Sequence, residues 1–261
     1  MTDLGKRLGD VYRIIDNNRD MYIQWLQELC RIPSVAAQNR SMKEAAEQVR
    51  RYLEALAQGP GAAGSTVKVI PTSGFPVVYG EFPGKSPRTL LFYNHYDVQP
   101  EDPVELWHYP PFGAEIHDGV IYARGVADNK GNLVARIAAV HALQQALGEL
   151  PLRVKFVVEG EEEIGSLHLP EFCQNHPELL KADGCIWEFG YKDADGRLQV
   201  SLGVKGMLYV ELICRGASQD LHSANAAIVP NPAWRLVQAL NTLKDATTGR
   251  VLIEGFYDDV E

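Results

Sequence analysis

Hydrophobic positions first recur at helical spacing: Tyr22, Trp25, Leu26 and Leu29 in DNNRDMYIQWLQELCRIPSV predict a helix that stops before Pro33. SMKEAAEQVRRYLEALAQ predicts a second amphipathic helix, with Ser41 and Glu44 at the spacing of a capping box, and GPGAAGS breaks it. The pattern then shortens. TVKVI, PVVYGEF and, after the FPGKSPR turn, LLFYNHYDVQP read as strands. AEIHDGVIYARG reads as a hairpin around Asp118–Gly119. NKGNLVARIAAVHALQQALG predicts a long helix, LRVKFVVEG a continuously apolar strand, LPEFCQNHPELL a helix and ADGCIWEFG another strand.

Strands alternating with helices imply an α/β fold, a mostly parallel sheet covered by helices on both faces. From about Lys205 the pattern changes. GMLYVELICRG alternates as a strand, and NPAWRLVQALNTLKD is a helix with Pro232 in its first turn. The expected division is one domain over 1–205 and the beginning of a smaller α+β domain over 206–261.

Charge narrows the function. Lys plus Arg is 25 against 34 for Asp plus Glu, a net charge of −9, which argues against a nucleic-acid or anionic-membrane surface. No run approaches the roughly 20 apolar residues of a membrane span. The N-terminal MTDLGKRLGDVYRIIDNNRD is too polar for a signal peptide, so a cytoplasmic protein is expected. Cys30, Cys173, Cys185 and Cys214 form no C-x-x-C pair, and reduced, mostly buried thiols are expected.

Candidate chemistry collects at the carboxyl ends of the predicted strands, where open α/β sheets place their ligands. His95 and Asp97 follow LLFY, Asp128 lies in RGVADNKG, Glu161, Glu162 and Glu163 follow VKFVVEG, and Glu188 follows CIW. Two carboxylates about 4 Å apart repel by roughly 4 kcal/mol at an effective dielectric near 20. A pair of divalent cations reverses this, because Asp128, Glu162, Glu163 and Glu188 bring four negative charges against four positive. One imidazole among carboxylates suits zinc, with manganese or cobalt as alternatives. In His95-x-Asp97 the carboxylate can accept the other imidazole N–H and orient the ring. Taken singly, each motif reads as a strand-end turn, a solvated acidic loop or a helix-capping Asp. Their order after successive apolar strands favours the metal site.

HYDVQP, WHYPPF, YARGVADNKG, EGEEEIGS and DLHSA, in that order, resemble the co-catalytic dizinc metallopeptidase family. That family contains aminoacylases, carnosine dipeptidases, succinyl-diaminopimelate desuccinylases and glutamate carboxypeptidases; HYDVQP and DLHS are most similar to its dipeptidase branch. The resemblance implies a zinc-exopeptidase-like catalytic domain followed by a ferredoxin-like lid and dimerisation domain. It further implies that His95 and Glu188 bind the first metal, Asp128 bridges both metals and precedes a cis peptide bond, and Glu163 binds the second. Glu162 would be the general base, Asp97 the brace of His95, and His222 the lid residue that polarises the scissile carbonyl. In dimeric relatives that histidine serves the neighbouring subunit. Glu161 receives no role and is expected to be solvated.

The implied activity is metal-dependent hydrolysis of an amide bond in dipeptides or small peptides by metal-activated water. The implied partners are a small peptide or N-acyl amino acid as substrate and a homodimer through the lid, with no nucleic acid and no membrane. The alternatives are an N-acyl-amino-acid deacylase or desuccinylase or, from another class, an inactive remnant serving as a binding or dimerisation module. Asn94 and Ala123 stand where relatives commonly have glycine. Relatives are also longer, and a histidine beyond the lid completes their second metal's shell. No histidine follows His222 here, so a fragment of a longer peptidase is expected, weak at the second metal and poorly active, with an apolar lid edge open to association. His141 is expected to pack in its helix, and His108, His117, His168 and His176 to be solvated. Trp107 and Phe112 are expected to pack around the site loop.

Overall fold

A computed structural model describes residues 3–188 and 190–260. Its first compact unit, Met1–Val200, opens with helices α1 (Asp3–Asn17), α2 (Arg19–Cys30) and α3 (Met42–Ala57). There follow strands β1 (Thr66–Ile70), β2 (Val77–Phe82) and β3 (Gly84–His95), then a small hairpin of β4 (Glu115–His117) and β5 (Val120–Tyr122). Helix α4 (Lys130–Leu147) and β6 (Leu150–Glu159) come next, then α5 (Leu169–Asn175), α6 (Pro177–Leu180) and β7 (Gly184–Trp187).

The central sheet has the order β1-β2-β6-β3-β7. Alternation along its strands fills two cores. Val78, Phe82, Phe92, Phe156 and Val158 face Leu53 and Leu56 of α3 and Leu133 and Ile137 of α4. Val77, Tyr79, Leu91, Tyr93 and Val157 face the other way, onto Phe172 of α5, with Leu179 and Leu180 of α6 against them. Helices thus cover both faces, which is why Phe156, Val157 and Val158 of β6 are apolar in succession, without alternation.

The sheet is mixed. β3 runs parallel to β6 and to β7, whereas β2 runs antiparallel to β1 and to β6. The segment 71–76 joining β1 to β2 is too short for the crossover of a dozen or more residues that a parallel pair needs. The parallel part is the trio β6-β3-β7; its three carboxyl ends carry His95 and Asp97, Glu161 to Glu163, and Glu188, whereas Asp128 comes from the loop between β5 and α4.

Local chemistry departs from expectation in several places. Ser41 precedes α3 in the left-handed region (φ 52°, ψ 27°), and its side chain makes no capping bond; its carbonyl instead accepts from Ala45 N at 3.1 Å. Pro177, which lacks an N–H, splits the predicted single helix into α5 and α6. Helix α1 packs on α4 with Val11 buried, and is an element the polar composition of this stretch concealed. The hairpin forms as predicted: Asp118 (φ 50°) and Gly119 (φ 77°) take the two positive-φ positions of a tight turn. All four cysteines are unpaired, but only Cys30 is buried and Cys185 is exposed.

The second unit, Ser201–Glu261, holds the 3₁₀ turn Ser223–Ala227 and helix α7 (Pro232–Leu243). Asn231 caps α7 by accepting Ala233 N at 2.9 Å, and Pro232 sits in the first turn as predicted. The strand expected over GMLYVELICRG does not form among the described residues, and Met207, Leu208 and Tyr209 are exposed. Alternation specifies a face, but a strand also needs a backbone partner. Among the described residues no helix is long and apolar enough to cross a membrane.

Candidate metal centre

β3 ends by burying Asn94 and His95 completely. The imidazole Nδ1 lies 3.1 Å from the Asp97 carbonyl oxygen and 3.3 Å from Asp97 Oδ1. The same buried carboxylate accepts the backbone N–H of Glu162 at 3.3 Å and of Glu163 at 3.0 Å, where the 3₁₀ turn Glu162–Ile164 begins after β6. Asp97 therefore fixes the ring and the acidic turn together.

The other imidazole nitrogen faces the acids. Nε2 is 3.0 Å from Asp128 Oδ1 and 3.8 Å from Glu162 Oε2. Asp128 precedes α4, and the Asp128–Asn129 peptide bond is cis. Gln99 Nε2 donates to Glu163 Oε2 and to the Glu163 carbonyl, each at 3.0 Å. Glu188 leaves β7 with φ 38°, its N–H donating to the Tyr93 carbonyl at 3.0 Å. Two groupings result, His95–Asp128–Glu163 and His95–Glu162–Glu188, each with ligand-type atoms within 4.8 Å of one another.

Burial opposes a charged His95. Hydrogen bonds to Asp128 and Asp97, with the negative charges of Asp97 and Glu162, outweigh it and push the imidazole up to about 10. Burial, then the charges of Glu162 and Asp128, push Glu188 up to about 7 against the pull of His95. Burial also raises Glu162 and Glu163. The cluster draws positive charge to itself, and one imidazole nitrogen with carboxylate oxygens is a donor set that fits zinc, manganese or cobalt. A cation must displace the protons these groups hold. Below about pH 10 the His95 proton alone weakens binding tenfold per pH unit, so apparent zinc affinity is expected to fall at least about 10²-fold from pH 8 to pH 6. Calorimetry in buffers of different ionisation enthalpy checks this through proton release; a pH-independent affinity contradicts it.

His95, Asp97, Asp128, Glu162, Glu163 and Glu188 thus converge. His222 lies in the second unit, exposed, where its Nδ1 accepts Ala224 N at 3.1 Å and caps the turn Ser223–Ala227. Glu161 is not solvated: it is buried and pairs with His168, accepting the His168 backbone N–H at 3.2 Å and lying 3.0 Å from its Nδ1. That pair leaves no room for a side chain at Gly74, whose added Cβ would meet Glu161 Oε1 at 2.2 Å. His141 packs as predicted, 2.7 Å from the Tyr22 hydroxyl. Trp107 and Phe112 lie beneath the guanidinium groups of Arg124 and Arg40.

Sequence reasoning missed Gln99, although HYDVQP contains it, and two cations of α4. Lys130 is buried, donates to the carbonyls of Leu29 (3.0 Å) and Ile32 (2.7 Å), and is lowered by burial to about 8. Arg136 reaches the ends of β3 and β7.

The parallel strands of the sheet thus end beside one buried histidine ringed by acids. The chain matches Peptidase family M20/M25/M40 over residues 91–254, and it belongs to that family. It is 32% identical to the human Beta-Ala-His dipeptidase over 280 residues, 97% of this chain and 52% of that protein. It is 29% identical to the Cys-Gly metallodipeptidase DUG1 of Candida albicans, with 97% of this chain and 55% of that protein covered. Among solved structures it is similar to the M20 family metallo-carboxypeptidase Sso-CP2 from Sulfolobus solfataricus, with a TM-score of 0.82 and 44% identity over 92% of this chain and 53% of that one. The chain spans about half the length of these relatives.

Proposed function

We propose that this chain carries the metal-binding site of a peptidase that hydrolyses the amide bond of dipeptides or small peptides. The observation that carries this is the placement of His95 Nε2 between Asp128 and Glu162, with Asp97 holding the opposite side of the ring. His95 and Glu188 would hold one divalent cation and Glu163 a second, with Asp128 between them. Bound divalent cations supply a lowered water pKa, towards roughly 7, and polarisation of a carbonyl oxygen.

The chain's own residues do the rest. Glu162, one-third exposed, can reach a water molecule, and burial raises its proton affinity towards the range useful to a base at neutral pH. It would take the proton of the attacking water and return it to the leaving amine. Asp97 would keep the His95 ring and the Glu162–Glu163 turn in register throughout. His222 would donate to the carbonyl oxygen, a role supported by the DLHSA motif and family membership. We extend the proposal to a homodimer through the second unit and a cytoplasmic setting.

Similarity to the Beta-Ala-His and Cys-Gly dipeptidases favours a free dipeptide as substrate. A second reading, a carboxypeptidase acting on longer peptides, is favoured by the 44% identity to the Sulfolobus metallo-carboxypeptidase. The purified chain, chelated and then loaded with zinc, manganese or cobalt, is assayed on β-Ala-His, Cys-Gly, an N-blocked dipeptide and an N-succinyl amino acid. Metal-dependent release from the free dipeptides is expected. Cleavage confined to the N-blocked peptide selects the carboxypeptidase, and cleavage confined to the succinyl compound the desuccinylase. No metal-dependent hydrolysis of any of them overturns the assignment of activity to this chain and favours the inactive binding module.

A further inference from the structure

We propose that Arg136, acting with Asn94, is a positioning residue that holds three ligand-bearing loops of the centre in one register. The proposal rests on the metal-centre reading above. Arg136 projects from α4. Its Nη1 donates to the Tyr93 carbonyl at 2.8 Å and to Asn94 Oδ1 at 2.7 Å, and its Nη2 donates to the Glu188 carbonyl. The Asn94 side chain in turn donates from Nδ2 to Asn129 Oδ1. The guanidinium carbon lies 5.6 Å from the centroid of the Phe92 ring.

Three of these four acceptors adjoin or belong to a ligand candidate, and the fourth, the Tyr93 carbonyl, lies two residues before His95. Asn94 precedes His95, Asn129 follows Asp128, and Glu188 is itself a ligand candidate. The three acceptors of Arg136 are oxygens of neutral groups, so its hydrogen bonds go to fixing backbone and amide positions rather than to neutralising a carboxylate. Glu188 most needs such a fix. With φ at 38° it occupies a region that non-glycine residues enter rarely, and its backbone is held on both sides, N–H to Tyr93 and carbonyl to Arg136. A planar, forked donor can serve the ends of β3 and β7 at once, whereas a lysine ammonium is a point donor on a flexible stem. Asn94 carries the constraint onward to the loop of Asp128. Groups that orient metal ligands in this way typically change affinity when removed without touching the metal.

The test uses the 261-residue chain, with Arg136→Lys and Asn94→Ala compared with the unmodified sequence. Cobalt is titrated against a competing chelator, its d–d absorption is recorded, and circular dichroism of the metal-free proteins fixes a temperature at which all are folded. Each folded variant is expected to bind cobalt about 10- to 100-fold more weakly with an altered d–d band. Asn94→Ala leaves the Arg136 bonds to Tyr93 and Glu188 in place and so tests the link to the loop of Asp128 alone; Arg136→Gln, which keeps an amide donor without the fork, takes the place of Arg136→Lys if that variant does not fold. Folded variants with unchanged affinity and spectrum, even if less heat-stable, overturn the positioning role. An unmodified chain that takes up no cobalt overturns the metal-centre reading and this inference with it.

Discussion

Replacing Glu162 with Gln is expected to lower whatever rate of peptide hydrolysis the chain supports by about 10²- to 10⁴-fold, the usual contribution of a positioned general base. The substitution keeps the shape of the side chain and its place on the turn that Asp97 holds through two backbone N–H groups. What it removes is the oxygen able to take a proton. Glu162 also has an atom within ligand range of His95 and Glu188, so a second outcome is chemically open. If Glu162 is the base, the Gln variant keeps its zinc content and loses turnover. If zinc content falls together with turnover, Glu162 is a ligand and the base must be sought elsewhere. Single-turnover hydrolysis and metal analysis on the same preparation separate the two.

The second large effect belongs to His95. It is the one residue common to both groupings, and in the proposed assignment His95→Ala removes the imidazole donor of the first cation. Apparent binding energies of about 10–16 kcal/mol for four-ligand zinc sites imply about 2.5–4 kcal/mol per ligand, or roughly 10²- to 10³-fold in affinity. Competition with a chelator at pH 7.5 measures this. Asp97→Asn is expected to cost less, about 10- to 100-fold, because it loosens the ring and the acidic turn while leaving every metal donor present. A His95→Ala protein that binds zinc as tightly as the unmodified chain would remove the histidine from the site.

The candidate site was readable because His95, the Glu162–Glu163 turn and Glu188 each follow a short apolar run that forms a strand of the covered sheet, while Asp128 immediately precedes a long helix. His95, Asp128, the Glu162–Glu163 turn and Glu188 could be gathered at one edge from that order alone. The antiparallel placement of β1 and β2 was hidden, because strand pattern records burial and not direction; only the brevity of the connection between them betrays it. The clamp by Arg136 was hidden for another reason. Its acceptors lie 42 to 52 residues away along the chain, and a cation in an apolar helix gives no sign of which carbonyls it will meet. Glu161 misled by its setting among other acids, although its burial beside His168 separates it from them. GMLYVELICRG shows the opposite failure, a strand-like apolar segment with no partner strand among the described residues to make it a ladder.

Diffraction from zinc-grown crystals of the chain, with anomalous difference maps recorded on either side of the zinc edge, tests the central claim most directly. Zinc-specific density is expected within bonding distance of His95 Nε2 and bounded by Asp128, Glu162 or Glu163, and Glu188. Well-ordered side chains in these positions with no anomalous density between them, at zinc concentrations well above those that load ordinary zinc enzymes, would contradict it.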